Sequence, residues 1–90
     1  MNEKIKRKWC SALRGGNWVQ MSGDYKNREE ASRERCALGV LAEVIDPGFQ
    51  FVGNKLYGCL DIRNQSTISS MNDHENRSFS EIADWIEEHL

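Results

Sequence analysis

The chain has 90 residues, of which 39% are hydrophobic and 29% charged, and its net charge at pH 7 is −2. These values fit one compact domain over residues 1–90, and they exclude both a strongly basic nucleic-acid-binding composition and the composition of disordered chains. The sequence contains no secretory leader and no apolar run long enough to cross a membrane, so we expect a cytoplasmic protein without a membrane partner.

The first segment predicts an amphipathic helix with a basic outer face. Asn2 is a suitable N-cap and Gly15-Gly16 a suitable stop. The apolar stripe consists of Ile5, Trp9, Ala12 and Leu13. The positive charges of this segment come from Lys4, Lys6, Arg7, Lys8 and Arg14.

A short strand and a polar stretch follow the glycines. Residues 17–21 include Trp18 and a β-branched residue, a composition that favours a strand. The stretch Ser22–Arg35 contains eight charged residues and Asn27. It predicts either a mobile loop or a helix that is capped by Asn27 and Glu30 and continues into the next segment.

The most hydrophobic segment, Cys36–Ile45, predicts the central helix. Its helical period is carried by Ala37, Val40, Leu41, Val44 and Ile45. The helix should end at Asp46-Pro47-Gly48, because proline cannot continue it. Gly39 lowers helix propensity by about 1 kcal/mol relative to Ala, so we expect close packing there, with Trp9 or Trp85 as the neighbour.

The segment after the central helix predicts an antiparallel β-hairpin over residues 49–60, with Gly53-Asn54 as its two-residue connection. Asp61–Ser66 then resembles a loop and Thr67–Met71 a short strand or extended arm. The sequence therefore predicts an α+β fold in which about three helices pack on a small antiparallel sheet.

The final segment predicts a capped amphipathic helix that begins at Phe79. Ser78 and Glu81 have the spacing of a capping box, in which each side chain accepts a hydrogen bond from the backbone of the other residue. The apolar positions are Phe79, Ile82, Ala83, Ile86 and Leu90. The acidic positions of the other face are Glu81, Asp84, Glu87 and Glu88.

Charge is distributed unevenly along the chain. Residues 1–14 carry a net charge of +4 and residues 73–90 a net charge of −5. Two interpretations remain open. The basic and acidic faces meet each other within the fold, or they form surface patches that steer a charged partner.

Three cysteines, Cys10, Cys36 and Cys59, have apolar neighbours and no C-x-x-C spacing. We expect small buried side chains in a reducing compartment, not metal ligands or nucleophiles. The histidines His74 and His89 stand apart from them in sequence, so we predict no metal site and no cofactor.

The candidate binding residues do not form a catalytic set. Asn72, Asp73 and His74 crowd polar groups into the turn before the last helix, where they bind a ligand or fix the entry of that helix. Trp9 and Phe79 are expected in the core. The aromatic residues off the main apolar stripes, which could anchor an interface, are Trp18, Tyr25 and Trp85. We therefore predict a binding protein and not an enzyme.

Three blocks of the sequence resemble a family of short proteins of bacteriophages and prophages. The blocks are Trp9-Cys10-Ser11-Ala12-Leu13-Arg14-Gly15-Gly16, Cys36-Ala37-Leu38-Gly39-Val40-Leu41, and Asn72-Asp73 followed by Ser78-Phe79-Ser80-Glu81-Ile82-Ala83-Asp84-Trp85-Ile86-Glu87. The family patterns are W-x-x-A-L-x-S-G, C-C-L-G-V-L, and N-D with S-F-x-E-I-A-D-x-I-E. Gly15 and Ala37 depart from the serine and the second cysteine of these patterns. The resemblance implies a phage accessory protein in the cytoplasm of a host bacterium, and it implies no reaction.

The expected function is inhibition of a host defence component, such as the nuclease or surveillance complex that an anti-CRISPR protein blocks. The acidic face of the last helix resembles phosphate groups, and it would compete for channels rich in Lys and Arg that hold nucleic acid.

Two alternatives stay open. The first is sequestration of a small nucleotide signal, with aromatic rings stacked on the base; a pocket at a homo-oligomer interface would point that way. The arginines available for its phosphates are Arg28, Arg33 and Arg35. The second alternative is nucleic-acid binding through the basic first helix, which predicts a steep salt dependence.

Overall fold

A computed structural model describes residues 1–29 and 31–90 of the chain. This part of the chain forms four α-helices, one 3₁₀ helix over Lys55–Gly58 and two strands. The helices are α1 (Glu3–Arg14), α2 (Ala37–Ile45), α3 (Ile62–Asp73) and α4 (Phe79–His89), and the strands are β1 (Val19–Gln20) and β2 (Glu34–Arg35). α1 packs on α2 and α4, and α3 packs on the same two helices.

The three predicted helices are confirmed, and so are the predicted caps and stops at Asn2, Gly15, Asp46 and Ser78. Asn2 caps α1 by accepting from the backbone N–H of Ile5 at 3.0 Å. α2 runs over Ala37–Ile45 and stops before the proline. In α4 both halves of the capping box are present: the Ser78 hydroxyl accepts from Glu81 N, and Glu81 Oε1 accepts from Ser78 N.

The capping box gives a testable pH dependence. The hydrogen bonds from Ser78 hold the pKa of Glu81 below its ordinary value of 4.5. A carboxyl whose pKa is lowered in the folded state stabilises the protein above its unfolded pKa, and this contribution is lost as the pH falls through the folded value. We therefore expect the wild type to be more stable than Glu81→Gln at about pH 6, with the difference shrinking towards about pH 3.

Urea unfolding at several pH values measures this difference. Glu88→Gln is the matched control, because it removes the same charge from an exposed position of α4 outside the capping box. A Glu81→Gln variant whose stability runs parallel to that of the wild type at every pH would contradict the expectation.

The predicted antiparallel hairpin over residues 49–60 is wrong, and so is the architecture of three helices on an antiparallel sheet. The segment forms a turn and the 3₁₀ helix instead. Its buried residues are Phe49, Val52, Leu56 and Leu60. These positions recur every three or four residues, as in a helical segment, and not every second residue as a strand on a core requires. The sheet that does form is the parallel pair β1–β2, with Val19 opposite Glu34 and Gln20 opposite Arg35.

The predicted loop Asp61–Ser66 and strand Thr67–Met71 are also wrong, because both belong to α3. The Asp61 side chain caps this helix by accepting from Asn64 N at 2.8 Å. Its serines and threonine lower its intrinsic helix propensity, but Ile68 is fully buried and Met71 nearly so. Tertiary packing of one face therefore decides the structure of this segment.

The described residues of the polar stretch before α2, 22–29 and 31–35, do not form the alternative helix. Asn27 Oδ1 accepts from Glu29 N at 2.9 Å, which makes an Asx turn instead of a helix cap. Glu30, the other predicted capping residue, lies outside the described residues. On the other side of β2, Lys26 and Arg35 form an antiparallel bridge. β2 therefore lies between β1 on one side and the segment around Lys26 on the other.

Close packing at Gly39 is confirmed, but the predicted neighbour is wrong. The atoms nearest to the position that a β-carbon would take at Gly39 belong to the backbone of Tyr25 and to Cβ of Arg35, not to Trp9 or Trp85. The carbonyl of Tyr25 also accepts from Cys36 N at 3.2 Å. The polar stretch therefore packs directly on the first turn of α2.

The core joins all four helices and the segment between α2 and α3. Trp9 and Phe79 are buried in it, as predicted, and the indole Nε1 of Trp9 donates to the carbonyl of Ala37 at 2.9 Å. Cys10 and Ala83 bring α1 and α4 close together, with 3.7 Å between the cysteine sulfur and the alanine carbonyl oxygen. Over residues 1–29 and 31–90, no helix has the length and apolar character needed to cross a membrane.

Candidate functional site

The acidic side chains of α4 lie beside the basic end of α1. Arg14 donates to Glu87 Oε1 through Nη1 and to Asp84 Oδ1 through Nη2, each at 2.6 Å. The hydrogen bond to Glu87 is the main cause that raises the pKa of Arg14, and Arg14 in turn lowers the pKa of Glu87. Part of the charge separation along the chain is therefore neutralised where these two helices meet.

A negative surface remains on α4 in spite of this contact. We call it the acidic edge, and it consists of Glu81, Asp84, Glu87 and Glu88. The Asp84 side chain is 74% exposed and that of Glu87 is 54% exposed, although both contact Arg14. Arg14 thus fixes two carboxylates in place while it leaves them open to solvent.

The predicted aromatic anchors make different contacts in the fold. Trp85 is half-buried on α4, where its ring stacks on His89 with 4.6 Å between ring centroids. Trp18 lies against Arg35, and Tyr25 lies against the first turn of α2. Only Trp85 therefore shares its helix with the acidic edge.

Asn72 is a structural junction and not an open ligand-binding residue. Its side chain is almost fully buried. Nδ2 donates to the carbonyl of Met21 at 2.7 Å, while Oδ1 accepts from Gln20 Nε2 at 3.0 Å and from Ala37 N at 3.1 Å. One amide thus connects the end of α3 to β1 and to the start of α2.

The neighbouring turn residues have different surroundings. Asp73 is half-buried and accepts from Gly23 N at 3.4 Å and from Asn72 Nδ2 at 2.7 Å. His74 is exposed and follows the last residue of α3. Of the three predicted residues, Asp73 borders a cavity.

That cavity has a volume of about 220 Å³ and contains a thiol. Its lining consists of Gly23, Asp24, Tyr25, Cys36, Leu38, Ser69 and Asp73. Cys36 Sγ caps α2 by accepting from Gly39 N at 3.3 Å, and burial raises the pKa of this thiol. Burial likewise raises the pKa of Cys10 and of Cys59. A protonated, buried sulfur is a poor nucleophile, so this arrangement favours a structural role. The described residues contain no group of three or more His, Cys, Asp and Glu that could hold a metal ion.

The three candidate arginines are divided between two places. The guanidinium of Arg28 donates to the carbonyl of Gln50 and lies 5.9 Å from the ring of Phe51. Arg33 and Arg35 border a larger cavity, of about 570 Å³, which we call the Trp18–Arg35 cavity. Its lining consists of Asn17, Trp18, Ala31, Ser32, Arg33, Arg35, Glu43 and Gly48.

Sequence reasoning misses two features of the structure. The first is Glu43, which forms a buried ion pair with Arg35 at 2.8 Å; a lone carboxylate inside the most apolar helix was the available signal. The second is a group of exposed apolar side chains, Phe51, Tyr57 and Ile62, with 75%, 53% and 65% exposure. In the hairpin that the sequence suggested, Phe51 would share a face with the buried Phe49, which concealed its exposure.

Comparison with known proteins gives one match. A family model described as a domain of unknown function, DUF8296, matches residues 1–51. No curated protein and no solved structure matches the chain. The matched segment contains α1, both strands, α2 and every residue that lines the Trp18–Arg35 cavity, whereas the acidic edge lies outside it. Since the match spans more than half of the chain, the protein belongs to the DUF8296 family.

Proposed function

We propose that this protein is a non-enzymatic, phage-encoded accessory protein that binds a component of a bacterial defence system and inhibits it, in the manner of an anti-CRISPR protein. The observation that carries the proposal is the acidic edge, whose carboxylates stay exposed while Arg14 orients two of them. The resemblance to phage and prophage proteins supports the phage origin.

The spacing of the acidic edge suits competition with nucleic acid. Glu81 and Glu88 are seven residues apart, about 10 Å along a helix. One DNA strand carries about three phosphates over that length. The acidic edge has four carboxylates and one neutralising guanidinium, so it presents a comparable negative charge to a protein surface rich in Lys and Arg. Because Arg14 already restrains Asp84 and Glu87, binding costs less side-chain entropy than it would with free side chains.

Charge reversal of the acidic edge tests the proposal. We expect tagged wild-type protein to retain a stoichiometric host protein from bacterial lysate, and the Asp84→Lys/Glu88→Lys variant to bind that purified protein at least about tenfold more weakly, because like charges then face each other. Both positions are exposed and lie outside the capping box. Titration of the purified partner by calorimetry gives the two affinities.

Glu29→Lys/Glu75→Lys is the matched control, because it changes the net charge equally at two exposed positions away from α4. Circular dichroism establishes that all variants keep their helix content. An Asp84→Lys/Glu88→Lys variant that binds as tightly as the control would show that the acidic edge is not the contact surface.

A second candidate is nucleic-acid binding through the outer face of α1. Lys4, Arg7 and Lys8 are exposed there. Within residues 1–29 and 31–90, the ion pair that these side chains form is a long one between Arg7 and Glu3, at 3.8 Å. This candidate is favoured if the tagged protein retains nucleic acid from the lysate in place of a protein. The retention should be lost in the Lys4→Glu/Lys8→Glu variant and at raised salt.

A further inference from the structure

We propose that the Trp18–Arg35 cavity binds a phosphate ester that carries a planar ring, a ligand of the nucleotide class. This site is separate from the acidic edge, so it adds a ligand to a protein for which docking on a partner is proposed above. The argument rests on the geometry of Arg35, on the charge of the lining and on the size of the cavity.

Arg35 is held in place before any ligand arrives. Its Nε donates to Glu43 Oε2 at 2.8 Å, and its Nη1 donates to the carbonyls of Glu34 at 2.7 Å and Ser32 at 3.1 Å. The guanidinium carbon lies 4.7 Å from the centre of the Trp18 ring. Three acceptors and one aromatic face thus fix a planar group whose side chain is only 9% exposed.

The fixed guanidinium keeps donors for a ligand. A guanidinium has five N–H groups, and the bonds of Arg35 to protein use those of Nε and Nη1. Among residues 1–29 and 31–90, Nη2 has no hydrogen-bond acceptor. Its two N–H groups are available to an oxyanion that enters the cavity, at a site that Arg35 itself lines.

The charge of the lining favours an anion. Glu43 offsets the charge of Arg35, and Arg33 is exposed and adds a second guanidinium at the same cavity. The backbone of Arg33 is anchored, since its carbonyl accepts from Val19 N at 2.8 Å. Asn17 and Ser32 contribute neutral hydrogen-bonding groups to the lining. The described residues of the lining therefore carry a net charge of +1.

The cavity is much larger than a phosphate ion requires. Its volume of about 570 Å³ lies in the range of small-molecule sites, roughly 300–1,000 Å³. The Arg35 guanidinium covers one face of the half-buried Trp18 indole, so the exposed part of the ring is the flat surface on which a base can stack. A ligand that uses both the guanidinium donors and the flat surface has an anionic group attached to a ring. All residues of this site fall inside the segment that matches the family model.

Calorimetric titration with AMP, adenosine and inorganic phosphate tests the proposal on the full chain. AMP has a planar purine base and one phosphate, adenosine lacks the phosphate, and inorganic phosphate lacks the base. We expect AMP to bind at least tenfold more tightly than either fragment, and Arg33→Gln to weaken AMP binding at least tenfold. In NMR spectra, AMP should shift the indole N–H signal of Trp18 and leave that of the buried Trp9 unchanged.

Arg28→Gln is the matched control, because Arg28 is an exposed arginine that contacts Gln50 and lies outside the cavity. It should change AMP binding less than twofold. Arg33 is exposed, so Arg33→Gln should unfold at the wild-type temperature; Arg35→Lys, which keeps the charge but not the planar fork, gives a second test.

Three results would overturn the proposal: no binding of AMP at millimolar concentration, equal affinity for AMP and inorganic phosphate, or equal losses in Arg33→Gln and Arg28→Gln. None of these results bears on the acidic edge, because the retention of a host protein is measured separately.

Discussion

Gly39→Ala is expected to lower the free energy of unfolding by about 3 kcal/mol, at the upper end of overpacking effects. Helix propensity alone gives the opposite sign, since Ala is favoured over Gly by about 1 kcal/mol in a helix. A β-carbon at Gly39 would lie 1.9 Å from the carbonyl oxygen of Tyr25 and 2.9 Å from its carbonyl carbon. Both are backbone atoms, so the contact is relieved only if α2 moves away from the polar stretch. That movement breaks the hydrogen bond from Cys36 N to the Tyr25 carbonyl.

Gly58→Ala is the matched control for this substitution. Gly58 belongs to the 3₁₀ helix, is exposed, and has no atom within 4 Å of the position that a β-carbon would take. We expect its stability to stay within about 0.5 kcal/mol of the wild type. Urea unfolding followed by circular dichroism measures all three proteins. If Gly39→Ala proved as stable as Gly58→Ala, the close approach of the Tyr25 carbonyl to α2 would be refuted.

Asn72→Leu is expected to lower the free energy of unfolding by about 3 kcal/mol, because each buried polar group left without a partner costs roughly 1–3 kcal/mol. Leucine has a similar size, so the change removes hydrogen bonds with little loss of volume. The backbone N–H of Ala37 loses its acceptor and the carbonyl of Met21 loses its donor. The side-chain amide of Gln20 keeps only the carbonyl of Arg77, at 2.6 Å.

Asn64→Leu provides the comparison for Asn72→Leu on the same helix. The side chain of Asn64 is half-buried and makes no hydrogen bond to any of the described residues. Its replacement should change the unfolding free energy by less than about 0.5 kcal/mol. Thermal and urea unfolding of both variants give the difference directly. Similar losses for the two would mean that a general preference for asparagine on α3, and not the junction, explains the effect.

The helices that could be predicted from sequence are those with both a terminal signal and a regular apolar period. α1, α2 and α4 each have both, for example Asn2 and Ser78 as caps. α3 has the cap at Asp61, but Ile68 and Met71 are its only buried apolar residues. Apart from the exposed Ile62, the other residues of this helix are polar. Its stability comes from packing on other helices, which a local pattern does not record.

The sheet could not be predicted because its partners are far apart in sequence. Val19 pairs with Glu34 across a charged stretch that shows no strand pattern. The hairpin predicted around Gly53 rested on turn composition, yet the buried residues on either side follow a helical spacing. Turn residues show where a chain bends; they do not distinguish a hairpin from the start of a 3₁₀ helix.

The same limit applies to the candidate site. Trp18, Arg33 and Arg35 were recognised as residue types suited to binding, but their meeting depends on the register of β1 and β2. Arg28 is chemically equivalent in sequence and lies elsewhere, beside Gln50. The pairing of Arg35 with Glu43 connects β2 to α2, and only the fold places these two charges together.

The contact between α1 and α4 has a consequence for the order in which the helices of the protein pack during synthesis. The contacts of Arg14 with Asp84 and Glu87 and of Cys10 with Ala83 join positions 70 to 73 residues apart. During synthesis, α1 leaves the ribosome long before the helix that covers it exists. The segment that matches the family model includes α1 and α2 but not α4, so by itself it leaves the side of α1 that faces α4 uncovered. Folding of this domain is therefore completed only after α4 has left the ribosome, and until then the first helix exposes apolar surface to chaperones.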